Sequence, residues 1–155
     1  MTVGLKHAKL WTEGKGAMGK IPGKWDPMLS VVYWNDKFVT GGSSGNLYVW
    51  SGSTGNPTKA HEGTVDALGI DNKGVLYSGC SRGMIITWKL SGGKLVVDRK
   101  LYDVSKFDKV DPGVLSFDFN KGNMLICSYS SSIYELPISG KAESSEPLMT
   151  AHYKG

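Results

Sequence analysis

Three stretches, Phe38-Val-Thr-Gly-Gly-Ser-Ser-Gly-Asn-Leu-Tyr-Val-Trp50, Leu76-Tyr-Ser-Gly-Cys-Ser-Arg-Gly-Met-Ile-Ile-Thr-Trp88 and Met124-Leu-Ile-Cys-Ser-Tyr-Ser-Ser-Ser-Ile-Tyr-Glu-Leu136, fall into register when the chain is slid along itself. Each is a β-rich run, a turn of small residues and a second β-rich run ending in a large apolar side chain. That pattern spells a two-stranded hairpin with inward residues spaced by two. Gly4-Leu-Lys-His-Ala-Lys-Leu-Trp11 is an earlier copy of the second run. The anchors Trp11, Trp50, Trp88 and Leu136 are separated by 39, 38 and 48 residues. The first two intervals approach the period of about 40 to 45 residues that marks propeller blades, and the third contains an insertion.

A further strand candidate precedes each hairpin, at 29–34, 64–70 and 114–119, and a more polar segment follows it. Four strands per unit result. In a β-propeller the first strand of each unit lines the central channel, the fourth lies outermost, and each blade buries its apolar faces on its neighbours because it cannot bury them alone. The fold expected is therefore all-β, a partial β-propeller of about three four-stranded antiparallel blades plus half a blade. The 155 residues divide into the last two strands of one blade (4–27) and blades at 28–61, 64–103 and 113–151. Ala151-His152-Tyr153-Lys154-Gly155 repeats the Ala60-His61-Glu62-Gly63 that opens an earlier blade, so the chain is expected to be cut from a larger closed propeller. An open stack leaves an apolar blade face wet at each end, and the expected consequence is self-association.

Composition agrees with strands and tight turns. Glycine supplies 21 residues, most of them standing singly between runs of Val, Ile, Leu, Tyr, Trp and Ser. The longest apolar runs, 29–34 and 83–90, fall far short of the roughly 18 residues of a membrane span, so no membrane association is expected. The N-terminus has no signal or transit pattern, and the chain has two cysteines, Cys80 and Cys127, which together point to a reducing, cytoplasmic setting. The net charge of +4 is concentrated: Lys6, Lys9, Lys15, Lys20 and Lys24 stand against Glu13 alone in residues 1–25, and the rest of the chain is balanced. No RNA-binding signature, zinc-finger spacing or row of stacking aromatics accompanies these lysines, so nucleic acid is not an expected partner. They read as a solvated basic stretch or as a contact for an acidic protein.

Several motifs point to chemistry and fail on inspection. Gly14-Lys-Gly-Ala-Met-Gly19-Lys20-Ile21 matches a phosphate-binding loop except that Ile21 replaces the hydroxyl residue that holds magnesium, and Ile21-Pro22-Gly23 forbids the helix that must follow. Cys80 or Cys127 with His7, His61 or His152 would form a nucleophile-base pair only if a thiolate met an imidazole, yet both cysteines sit on hairpin strands among small and apolar neighbours. No Cys-x-x-Cys, close His pair or calcium-loop carboxylate set is present, so no metal and no cofactor are expected. The carboxylates between Asp98 and Asp111 are interleaved with Arg99, Lys100, Lys106 and Lys109 and read as a solvated outer strand and loop.

At these residues the sequence resembles the WD-repeat family, and more narrowly the echinoderm microtubule-associated-protein-like family. Gly4-Leu-Lys-His-Ala-Lys-Leu-Trp11 is similar to that family's Gly-x-Lys-His-x-x-Phe-Trp strand, and Met28-Leu29-Ser30-Val31 follows a Lys/Gly-rich stretch. Thr40-Gly41 with Ser44-Gly45-Asn46-Leu47-Tyr48-Val49-Trp50 resembles its Thr-Gly-x-x-Ser-Gly-Asp-x-Tyr-Val-Trp blade; Ala60-His61-Glu62-Gly63, Ile133-Tyr134-Glu135-Leu136 and Ala151-His152 continue the order. The resemblance implies paired propellers that bind tubulin, although the family's coiled coil, basic region and hydrophobic signature motif do not occur in this stretch. Many WD repeats also link a buried His, Ser/Thr, Trp and turn Asp by hydrogen bonds. His61, Ser78 and Trp88 match three of these positions, while Arg82 takes the Asp position, with Ser44 and Ser130 at the corresponding points of the other blades. An Arg cannot accept a proton from His61, so either His61 turns elsewhere or Arg82 faces solvent and is available to a partner.

The reading that results is a non-catalytic scaffold of the microtubule-associated, cytoskeletal class, with Lys6, Lys9, Lys15, Lys20, Lys24 and Arg82 as candidate partner contacts. Trp11, Trp50, His61, Ser78, Trp88 and Leu136 are the candidate structural blade positions. The alternatives are an adaptor for another multiprotein complex and, from a different class, a hydrolase or nucleotide-dependent enzyme.

Overall fold

The computed structural model describes residues 1–12, 14–141 and 147–150; Glu13 and the closing repeat at 151–155, with His152, lie outside the described residues. The strands form four separate antiparallel sheets. The first contains β1 (Thr2–Val3), β2 (Ala8–Thr12) and β3 (Lys15–Met18). The second runs through β4 (Met28–Trp34), β5 (Lys37–Gly42), β6 (Asn46–Ser51) and β7 (Thr54–Lys59). The third comprises β8 (Val65–Ile70), β9 (Leu76–Cys80), β10 (Met84–Ser91) and β11 (Lys94–Asp103). The fourth comprises β12 (Val114–Asn120), β13 (Asn123–Ser128), β14 (Ser132–Pro137) and β15 (Met149–Thr150). In the last three sheets the strands lie in chain order from one edge to the other, and the sheets meet along their first strands, β4 against β8 and β8 against β12. This is a partial β-propeller. The first sheet has one strand more than the two expected, because Thr2–Val3 pairs with Ala8 and Lys9.

Period-two alternation explains why the sheets stack. Along β6, Leu47 and Val49 join the cluster shared with the third sheet, which includes Val65, Leu76, Ile86 and Trp88, whereas Tyr48 and Trp50 join the cluster shared with the first sheet through Ala8. The third interface repeats the arrangement with Tyr77, Ile85 and Leu101 against Val114, Met124, Ile126 and Leu136. Each interface thus has its own core, and the terminal anchor of a sheet is buried by the sheet before it. Trp50, Trp88 and Leu136 are 3%, 2% and 0% exposed, but Trp11 is 51% exposed. Trp11 is therefore no buried anchor: it sits on the face of the first sheet that no other described sheet covers, with its indole donating to Thr2 Oγ1 at 3.3 Å and the Lys9 ammonium over its ring.

Polar ties reinforce the interfaces. The Ser30 hydroxyl donates to the Val65 carbonyl and the Trp34 indole to the Gly74 carbonyl, at 3.0 and 2.8 Å. Tyr102 donates to the Pro137 carbonyl at 2.6 Å. All three complete sheets carry a β-bulge at the second residue of their first strand, at Leu29, Asp66 and Leu115. The hairpin turns repeat too: Gly45, Gly83 and Ser131 each precede the third strand of their sheet with φ of 89°, 92° and 64°. At Gly45 a Cβ would run into the His61 carbonyl, so glycine is needed there for space as well as for conformation.

Beyond β11 the charged stretch departs from the expected solvated loop. Asp103 caps a single 3-10 turn, Val104–Lys106, and Asp108 is buried. The glycine-lysine motif at 14–21 forms strand β3 and an extended connector, with Lys20 bridged in parallel to Thr54. Among the described residues no helix is long and apolar enough to cross a membrane.

Candidate protein-interaction site

The basic N-terminal stretch is spread over the first sheet and its connector, with Lys6 between β1 and β2, Lys9 and Lys15 on opposite faces of the β2–β3 ladder, and Lys20 and Lys24 beyond β3. Lys6, Lys15, Lys20 and Lys24 are exposed, and Lys9 is half-buried along Gly16 and Trp11. The fold holds the stretch in place at Lys20, whose backbone N–H donates to Ser53 and whose carbonyl accepts from Gly55. Among the described residues none of these ammonium groups pairs with a carboxylate; the ion pair recorded is Lys89 with Asp98, at 4.0 Å. Exposed, uncommitted lysines attract an acidic surface from a distance but contribute little individually once screened by salt.

At one end of each complete blade lies a buried polar cluster. In the second blade Asp26 accepts from Ser43 Oγ at 2.9 Å, Tyr48 OH at 2.8 Å, and both the backbone N–H and the hydroxyl of Ser44. In the fourth, Asp108 accepts from Ser128 Oγ at 2.8 Å, Ser130 Oγ at 2.5 Å and Tyr134 OH at 3.1 Å. Burial raises the pKa of each carboxyl, but the donated hydrogen bonds outweigh it, from Ser44, Tyr48 and Ser43 in one case and Ser130 and Ser128 in the other, and hold both below the ordinary aspartate value. These two aspartates were not singled out from the sequence. Their shared signal is an aromatic residue immediately before the Asp, Trp25-Asp26 and Phe107-Asp108.

The third blade is built differently. His61 is 3% exposed, and its Nε2 lies 2.7 Å from Ser78 Oγ, which accepts the Trp88 indole N–H at 2.8 Å. Burial pushes the His61 pKa down to about 4, with the Lys59 charge adding to the effect. The second blade retains half of this relay, since the Trp50 indole donates to Thr40 Oγ1 at 2.9 Å. Arg82 is exposed and makes no hydrogen bond or ion pair among the described residues. A cleft of about 290 Å³ opens between these groups, lined by His61, Arg82, Ile86, Lys100, Asp103 and Glu62 among others. Structure therefore separates the sequence-derived contacts into two places: the lysines on and beside the first sheet and Arg82 on the third-blade cleft.

Cys80 is buried and Cys127 half-buried, both unbonded to another cysteine, and no group of three or more potential metal ligands occurs among the described residues.

No family model matches the chain. Over 100 residues, 57% of the chain, it is 30% identical to the 77 kDa echinoderm microtubule-associated protein of Lytechinus variegatus, and it spans 15% of that protein's length. Among solved structures it is similar to the computationally designed Ika8 protein, with a TM-score of 0.64 and 19% identity over 89% of this chain and 42% of the other. It is also similar to the computationally designed Ika4 protein, with a TM-score of 0.59 and 19% identity over 84% of this chain and 78% of the other. At that identity the two designed proteins bear on fold alone.

Proposed function

We propose that the chain is a non-catalytic, WD-repeat interaction module of the microtubule-associated class, located in the cytoplasm on the cytoskeleton, and that it binds tubulin through the lysines on and beside its first sheet. The observation that carries the reading is the set of exposed lysines, Lys6, Lys15, Lys20 and Lys24, none of them neutralised by a carboxylate among the described residues. The similarity over 100 residues to an echinoderm microtubule-associated protein supports the choice of partner. Four or five ammonium groups on and beside the first sheet complement an acidic protein surface. They also make the encounter dependent on ionic strength, because exposed charges are screened over about 8 Å at physiological salt.

The test is co-sedimentation of the chain with microtubules over a salt series. Binding at low salt that declines as salt rises, and that drops at least fivefold when Lys6, Lys15, Lys20 and Lys24 are changed together to Gln, supports the proposal. Absence of binding at low salt, or binding indifferent to both salt and the lysines, overturns it.

A further inference from the structure

The three complete blades use one location in two opposite ways. In the second and fourth, an internal carboxylate (Asp26, Asp108) is surrounded by hydroxyl donors from the hairpin turn and the following strand: Ser44 and Tyr48, or Ser130 and Tyr134. In the third, every member of the set is replaced. His61 stands in the loop ahead of the first strand, as the aspartates do, while Arg82 takes the place of the turn serine and Ile86 that of the tyrosine, 6 and 2 residues before Trp88 as their counterparts are before Trp50 and Leu136. A carboxylate acceptor has been exchanged for donors and cations, and a cleft of about 290 Å³ adjoins them.

The Trp88 indole can only donate, and it donates to Ser78 Oγ. Ser78 Oγ is buried and has no acceptor besides His61 Nε2, 2.7 Å away, so we assign its proton there. A neutral imidazole that accepts at Nε2 carries its own proton on Nδ1, and His61 Nδ1 is buried with no hydrogen-bond partner. Buried donors of this kind are rarely left unmet. Around it, the exposed Arg82 and Lys100 have no acceptor among the described residues. Asp103, in the same cleft, is already committed, its Oδ1 accepting from the Ser105 N–H at 3.1 Å and hydroxyl at 2.5 Å. Glu62, on the rim, makes no ion pair with Arg82.

We propose that the third-blade cleft receives a carboxylate side chain from an acidic segment of a partner protein, with Arg82 and Lys100 gripping the charge and the His61 Nδ1–H as the buried donor. The incoming carboxylate then occupies in the third blade the role that Asp26 and Asp108 fill internally in the other two. Arg82 suits this task because its planar guanidinium can engage both carboxylate oxygens. Nδ1 is buried in the free chain, on a histidine that lines the cleft together with Arg82 and Lys100. The proposal rests on reading the chain as a protein-binding module, but it requires no particular partner.

The test uses the whole chain and a blocked hexaglutamate peptide as probe, followed by NMR of the histidine and arginine side-chain nitrogens. The expected result is a perturbation of His61 Nδ1 and Arg82 on titration, with affinity reduced at least fivefold by Arg82→Ser, which installs the residue of the other two blades, and by Lys100→Gln. Both positions are exposed, so the variants keep the wild-type unfolding temperature. A Lys6→Gln, Lys24→Gln pair leaves the perturbation of His61 Nδ1 and Arg82 on titration in place. Perturbations confined to the first-sheet lysines, an affinity unchanged by Arg82→Ser and Lys100→Gln, or equal displacement by inorganic phosphate at matched ionic strength would each overturn it. Because tubulin takes no part, loss of peptide binding with microtubule binding intact defeats this inference alone, and the reverse result defeats the tubulin reading alone.

Discussion

Tyr129 of the fourth blade donates its hydroxyl to the carboxylate of Asp66, the bulge residue on the first strand of the third, and so ties two sheets together where they approach most closely. Burial, reinforced by the Asp66 hydrogen bond and charge, pushes the Tyr129 pKa up to about 12, so the phenol stays a donor throughout the neutral range. Tyr129→Phe removes a charge-assisted bond but leaves Asp66 its other donor, Thr64 Oγ1 at 2.9 Å. The expected loss is about 1–2 kcal/mol in urea unfolding, against no measurable change for Tyr33→Phe, whose ring packs on Phe38 and is largely exposed.

Acid should weaken the third blade before the other two. The His61 pKa is near 4 in the folded chain, and an unfolded histidine titrates near 6.5. Between these values the unfolded state holds a proton that the folded state refuses, so stability is complete above about pH 6.5 and falls as pH drops toward about 4, by up to about 3 kcal/mol. Asp26 and Asp108, whose folded pKa values are depressed, contribute stability that is present above the ordinary aspartate value and is lost only at lower pH. Stability measured against pH should show both limbs, and His61→Gln should flatten the one between pH 6.5 and 4. An unaltered profile would mean that the imidazole is not held neutral in the core.

The repeated turn exposes a local strain. Ser131 holds a φ of 64° at the position where the other two hairpins use glycine. A left-handed conformation costs a non-glycine residue roughly 1–2 kcal/mol, partly offset by the extra freedom glycine has when unfolded. Ser131→Gly should therefore raise the stability of the chain by up to about 1 kcal/mol, whereas Gly45→Ala should lower it by considerably more, because the new methyl meets the His61 carbonyl. Thermal unfolding of the two variants reads the difference in sign.

How much of this could be read from residues alone depends on whether the governing interaction is local. Trp50, Trp88 and Leu136 announce themselves because strand alternation and turn chemistry lie within a dozen residues of each. Trp11 carries the same local pattern, yet its burial depends on a covering sheet rather than on its own strand, and no pattern within residues 4–11 reveals that. Asp26 and Asp108 escaped notice because they lie in connecting loops, at unequal distances from their anchors, and they become equivalent only once the serines and tyrosines of the next hairpin close around them. Asp108 in particular sits in a run of alternating charges that looks like surface, and it is buried where five hydroxyl and backbone donors converge on it. Conversely, the Arg82 substitution was visible at once, because the departure from the repeat is itself the signal.

The uncovered face of the first sheet has a predictable consequence. Trp11 and Met18 lie on the same side of the β2–β3 ladder, 51% and 56% exposed. Adjacent exposed apolar groups favour association, so light scattering should show dimers or larger species, and Trp11→Ser should shift the population toward monomer. A monodisperse monomer at high concentration would contradict this.

The terminal anchor of each of the three complete sheets is buried by the sheet preceding it, so the chain is a stack of blades and not one continuous sheet. Nuclear Overhauser contacts of the tryptophan rings test it most directly. The Trp50 ring should contact Ala8 of the first sheet, and the Trp88 ring should contact the methyl groups of the second-sheet cluster that includes Val39, Leu47 and Val49. Backbone contacts running as an unbroken ladder from β7 into the third sheet, with both rings packed only on their own sheets, would contradict it.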